Sequence, residues 1–155
     1  MRKINNPDRE NAGYHCFGCA PQNPFGLKME FFEDGDEVVS EWEPNANYQS
    51  YENVLHGGIQ MTLLDEVACW CMMVKIGSAG FTQQMDVQFL KNVFLSRGKI
   101  VLRARIEKRE GDLAFIRTEL YDQEGVLRTT ALAVYFVYPE KIARKRLQYP
   151  GREKF

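Results

Sequence analysis

The chain has 155 residues, 45% of them hydrophobic, and its 20 Lys and Arg nearly cancel its 21 Asp and Glu. That is the length of one ordinary domain with a sizeable core, and the balanced charge, with no basic helix or aromatic RNA-binding motif, argues against a nucleic-acid partner. The N-terminal stretch MRKINNPDRENAGYHCF lacks the apolar centre of a secretory signal, and the longest apolar run, Val67 to Val74, is far below a membrane span, so no membrane partner and a cytoplasmic location are expected.

In chain order, GLKMEFFEDGDEVVSEWEP reads as a hairpin: strands over 27–33 and 37–43, the turn DGD between them and Pro44 closing the second. The polar loop NANYQSYENVL leads to a helix over 58–76, ended by Gly77 and Gly80. From Phe81, FTQQMDVQFLKNVF alternates with Met85, Val87 and Phe89 on one face, and GKIVLRARIEKRE sets Ile100, Leu102, Ala104 and Ile106 opposite its charged residues. LAFIRTELYD and VLRTTALAVYFVY complete a run of four strands joined by EGD and QEG turns. Consecutive strands on short turns pair antiparallel, and a helix that is apolar nearly all round needs cover on more than one side. The expectation is α+β: a six-stranded antiparallel sheet curled around one long helix. A single domain is expected over 1–155, with its core at about 14–138 and a basic, solvated tail over 139–155.

Two carboxylates, Asp65 and Glu66, interrupt the helix VLHGGIQMTLLDEVACWCMMV. The stretch HGGIQMTLLDEVACW, following CFGCAPQNPFGLKMEF and preceding FTQQMDVQFLKNV, resembles the hotdog-fold acyl-CoA thioesterases, and in particular their phenylacetate-pathway branch; the likeness covers about residues 14–138. It implies the hotdog fold, no cofactor, and hydrolysis of an acyl- or aryl-CoA thioester in a site shared by two subunits of a homodimer or a dimer of dimers. It implies Asp65 as base or nucleophile, the Gly57 backbone N–H polarising the carbonyl, His56 and Gly58 shaping the turn, and Thr82 assisting water. Ser50, Asn53 and Gln84 fall to substrate binding, although relatives often carry Asn where Ser50 stands.

Elementary chemistry supports these roles. A helix N-terminus offers unpaired N–H groups and partial positive charge to an oxygen gaining negative charge, and glycine lets a ligand approach the backbone. A carboxylate can attack the carbonyl or take a proton from water. Eight residues separate Gly57 from Asp65, roughly 12 Å along a helix, so one carbonyl cannot meet both within one chain. A self-complementary two-fold dimer supplies the missing group twice.

Plainer roles compete. Glu66, about 100° round the helix from Asp65, suits a solvated strip. His56 suits a structural bond at the helix start. His15, Cys16 and Cys19 invite a zinc reading but lack a fourth ligand, and Cys69 and Cys71 point apart on the helix, so Cys16 and Cys19 are read as a reduced pair in a turn and no metal is expected. Trp70, Met72 and Met73 suit the core. Arg144, Lys145 or Arg146 could meet CoA phosphates. The rival functions are an acyl-CoA binding module without catalysis, which would need no Asp65, and an enoyl-thioester hydratase, which would want a histidine that this helix does not carry.

Overall fold

The computed structural model describes residues 1–155. Its strands are β1 (Arg2–Lys3), β2 (Phe32–Asp34), β3 (Glu37–Trp42), β4 (Gly80–Phe89), β5 (Ile100–Glu110), β6 (Leu113–Tyr121) and β7 (Leu127–Val137), and its helices are α1 (Gly57–Cys71) and α2 (Glu140–Leu147). All seven strands join one antiparallel sheet in the order β1-β2-β3-β5-β6-β7-β4. The sheet curls around α1, which packs on β3 to β7, so the class is α+β with a hotdog architecture.

Seven strands replace the expected six. The extra one, β1, is too short and polar to show a period; it forms because β2 leaves an open edge, where Arg2 lies opposite Glu33 and Lys3 opposite Phe32. Its anchor is the next residue, Ile4, buried and donating its N–H to the Phe31 carbonyl at 2.9 Å. The hairpin strand expected over 27–33 shrinks to three residues. Lys28 adopts φ 54°, and the Leu27 and Met29 N–H groups turn to the carbonyls of Phe17 and Gly18 at 2.7 and 2.9 Å, so this stretch pairs with the N-terminal loop before it can join the ladder.

Helix α1 forms because its apolar residues leave no face fully polar. Leu63, Leu64, Val67, Ala68, Trp70 and Cys71 are buried, and full burial of each large aliphatic side chain is worth about 1.5–3 kcal/mol. After Cys71 the backbone widens into a π-helical turn, Met72–Ile76, and ends at Gly77 with φ 78°, a left-handed stop that glycine adopts without a Cβ clash. Trp70 stacks on Phe31 with ring centroids 4.4 Å apart. No helix is long and apolar enough to cross a membrane.

The basic stretch expected as a solvated tail is folded onto the body. Ala143, Tyr149 and Phe155 are buried in the main core, the Tyr149 hydroxyl donates to the Met73 carbonyl at 2.9 Å, and Phe155 meets Trp70 edge-on at 5.6 Å. Arg144 is engaged by Glu140 at 2.7 Å. At the other end of the sheet, β4 pairs with β7 alone, leaving its outer edge of backbone groups open. Phe89, expected to share a face with Met85 and Val87, is 51% exposed beside this edge, while those two are half-buried.

Candidate active site

The ladder between β4 and β7 places Thr82 directly opposite Tyr135, and both reach across to α1. The Thr82 hydroxyl donates to Asp65 Oδ1 at 2.8 Å. The Tyr135 hydroxyl lies 2.5 Å from the same oxygen and 2.8 Å from the Asp65 backbone carbonyl. Two hydroxyls thus fix one carboxylate oxygen. Oδ2 accepts no hydrogen bond within the chain, and since Ser40 Oγ is the one buried side-chain polar atom without a partner, Oδ2 must be reachable from outside. Burial first, then the neighbouring Cys69 and Asp65, holds the Tyr135 hydroxyl well above its ordinary value, so it remains a donor.

His56 caps α1: its Nδ1 accepts the Gly58 N–H at 2.9 Å, which makes this nitrogen an acceptor. The Gly57 N–H has no partner within the chain. A Cβ built on Gly57 would meet the Phe89 ring at an ordinary 3.5 Å, so packing does not demand glycine there, whereas a ligand approaching that N–H would. An open groove of about 360 Å³ runs past Tyr48, His56, Gly58, Ile59 and Thr62.

The structure brings Asp65 and Thr82 together, and separately His56, Gly57 and Gly58. These two groups lie about 12 Å apart along α1, eight residues from Gly57 to Asp65. The remaining candidates lie apart from Asp65. Ser50 is exposed, with its hydroxyl donating to the Val54 carbonyl at 3.3 Å. Asn53 has φ 60° and a side chain that bonds both the hydroxyl and the backbone N–H of Ser96 at 2.9 Å. Gln84 is exposed on β4, beside an irregularity in the ladder between Thr82 and Gln84. Sequence reasoning passed over Tyr135, although alternation along 127–137 puts it on the inward face with Ala131 and Ala133, and a polar-tipped residue on such a face calls for a partner.

The other carboxylate corrects an expectation. Glu66 is no solvated residue: its Oε1 accepts the Trp70 indole N–H at 3.1 Å and lies 3.5 Å from Cys16 Sγ. Burial, and then the charge of Cys16, pushes it up to about 7. The Cys19 thiol donates to Cys16 at 3.3 Å, and that bond leads in drawing Cys16 down to about 5 while Cys19 rises. A helical wheel places Glu66 on the helix surface and cannot show that the loop carrying both cysteines closes over it.

A family model described as the thioesterase superfamily matches residues 52–129, half the chain. Asp65, Gly57 and Thr82 lie inside that match; Tyr135, Cys16 and Cys19 lie outside it. No curated protein matches the chain in sequence. Among solved structures, smu.793 of Streptococcus mutans, bound to acetyl-CoA, aligns with TM-score 0.65 at 18% identity over 72% of this chain and 90% of its own. A hypothetical thioesterase of Streptococcus pneumoniae with coenzyme A gives 0.65 at 20% over 72% and 90%. The PaaI protein of the phenylacetic acid degradation operon of E. coli gives 0.66 at 16% over 74% and 82%. At these identities the likeness is one of fold.

Proposed function

Because the chain belongs to the thioesterase superfamily and has its hotdog fold, we propose that it hydrolyses an acyl- or aryl-CoA thioester to the free acid and CoA. The observation that carries this reading is the state of Asp65: one oxygen held by Thr82 and Tyr135, the other free and accessible. Two hydroxyl donors hold the group aimed, as a base or nucleophile must be. The coenzyme bound in two of the similar structures supports CoA as the leaving group.

In this account Asp65 Oδ2 removes a proton from water as the oxygen attacks the thioester carbon, or attacks that carbon itself. The carbonyl oxygen gains negative charge and is met by the unpartnered Gly57 N–H at the positive end of α1. The C–S bond then breaks, and the CoA thiolate leaves and takes up a proton; where Asp65 itself has attacked, water then cleaves the acyl–Asp65 anhydride, releasing the free acid and restoring the carboxylate. Since Gly57 and Asp65 of one chain are about 12 Å apart, the two groups come from two copies. The open edge of β4 offers the surface for a second copy, in which strand pairing would satisfy exposed backbone groups.

The test is thiol release across a panel of acyl-CoAs. Asp65→Asn, nearly the same size, is expected to lower kcat by about 10²- to 10⁴-fold with little change in KM. Substrate binding without turnover in the unmodified chain would favour the acyl-CoA binding module.

A further inference from the structure

Three side chains that thioester hydrolysis does not use converge on α1 about 100° round the helix from Asp65. Cys16 and Cys19 come from the loop before β2 and Glu66 from the helix, and a ligand atom from each lies within 4.8 Å of the others. The two sulfurs are 3.3 Å apart and Cys16 Sγ is 3.5 Å from Glu66 Oε1. A tetrahedral Zn²⁺ with bonds of about 2.3 Å to sulfur and 2.0–2.2 Å to oxygen sets its ligand atoms about 3.5–3.8 Å apart. The spacing from Cys16 to Glu66 already fits, Cys19 Sγ lies within 4.8 Å of the carboxylate oxygen, and the sulfurs need to part by only about half an ångström.

The surroundings look built for the carboxylate. The Trp70 indole N–H donates to Glu66 Oε1 at 3.1 Å, the kind of outer bond that orients a ligand oxygen. Gly18, between the cysteines, lies against the same group: a Cβ there would stand 2.3 Å from Glu66 Cδ, so any side chain at this position would displace it. The Tyr14 hydroxyl is 2.8 Å from Cys19 Sγ. The cluster lines a cavity of about 250 Å³ together with Cys69, Trp70 and Tyr149. Three acidic groups crowded into such a place repel one another once ionised, and a divalent cation relieves that.

We propose that Cys16, Cys19 and Glu66 bind one Zn²⁺ ion, whose fourth position opens to this cavity and is filled by water or the Tyr14 oxygen. Thiolates favour zinc over magnesium or calcium, and three protein ligands leave one position exchangeable. The ion would staple the loop of residues 14–20 to α1, adding stability that depends on metal. The proposal stands apart from hydrolysis and can fail without affecting it.

Co²⁺ serves as the probe, added to the metal-free, reduced full chain. The expected result is thiolate-to-cobalt absorption that saturates at one ion per chain and is displaced by Zn²⁺. Cys16→Ser abolishes it. Glu66→Gln, which keeps the shape, weakens Zn²⁺ binding by at least about 10-fold in competition with a chromophoric chelator, and Cys69→Ser, on the same cavity but outside the cluster, leaves binding intact. Zn²⁺ raises the Tm of the unmodified chain and not of Cys16→Ser. The proposal is overturned by the absence of thiolate absorption, by loss of binding in Cys69→Ser, by Glu66→Gln binding as tightly as the unmodified chain, or by a Cys16–Cys19 disulfide forming with reductant and Zn²⁺ both present.

Discussion

Tyr135→Phe removes one oxygen and leaves the ring that fills the core between β7 and α1. That oxygen lies 2.5 Å from Asp65 Oδ1 and 2.8 Å from the Asp65 carbonyl. A hydrogen bond to a charged group contributes about 1.5–3 kcal/mol, equivalent to about 10- to 150-fold if all of it is expressed in the transition state. Thr82 keeps its own bond to the same oxygen at 2.8 Å, so the lower part of that range applies, about 10- to 30-fold in kcat. KM should hardly move, because the hydroxyl orients the carboxylate and does not contact the thioester. Steady-state thiol release gives both constants, and thermal unfolding checks that the fold is intact, with a stability cost of about 1 kcal/mol. Thr82→Val tests the same oxygen from β4, and the double variant should exceed the product of the two single losses, since in each single variant the remaining donor still holds the oxygen. A kcat within two-fold of the unmodified chain in Tyr135→Phe, or strictly multiplicative losses, would refute the idea that these hydroxyls jointly aim Asp65.

Glu33 is held down to about 2 by hydrogen bonds from Lys75 and then Arg2. Its folded value lies below the unfolded one, so the pair stabilises fully above about pH 4.5 and the gain is lost as pH falls toward 2; urea titrations across this window should show a loss of about 1–2 kcal/mol, after allowance for solvent screening, that Glu33→Gln abolishes. Asp122→Ala leaves the Arg128 guanidinium buried without its partner and should cost about 3–5 kcal/mol by chemical denaturation, whereas an exposed pair such as Lys99 and Glu41 should yield at most about 1 kcal/mol. Phe155→Ala removes a ring packed on Trp70 and Tyr149 and should destabilise by about 2–4 kcal/mol; no measurable change in Tm would mean that the C-terminal segment adds little to the fold.

The parts of the fold that depend on short-range periodicity were legible. The apolar run of α1 and the alternation of β4 to β7 gave the helix and the antiparallel order, because side-chain burial there follows local geometry. Contacts between distant segments were not legible. Arg2 and Lys3 form a strand only because Phe32 and Glu33 present an edge. Lys28 breaks the first hairpin strand because Leu27 and Met29 find partners in the loop at 17–18. Ala143, Tyr149 and Phe155 recur every six residues in an otherwise polar stretch, a spacing that marks no helical face, so their docking resembled a tail. Within the site, the HGG turn and Asp65 stood out as residues that contradict their setting. Tyr135 looked like ordinary core, and Glu66 like ordinary surface, until the loop carrying Cys16 and Cys19 was seen to cover it.

The central claim is that Asp65 of one copy and Gly57 of another act on one thioester. It is tested by a heterodimer, assembled from co-expressed, differently tagged chains, that pairs Asp65→Asn with Gly57→Val. Each variant alone should be nearly inactive, since every site then either lacks its carboxylate or has the approach to its residue-57 N–H blocked by the valine side chain. In the heterodimer one site carries both changes and the other carries neither, so thiol release per dimer should return to half that of the unmodified protein. Activity no higher than that of the two single variants would show that the groups do not meet across chains, and the two-copy mechanism would be wrong.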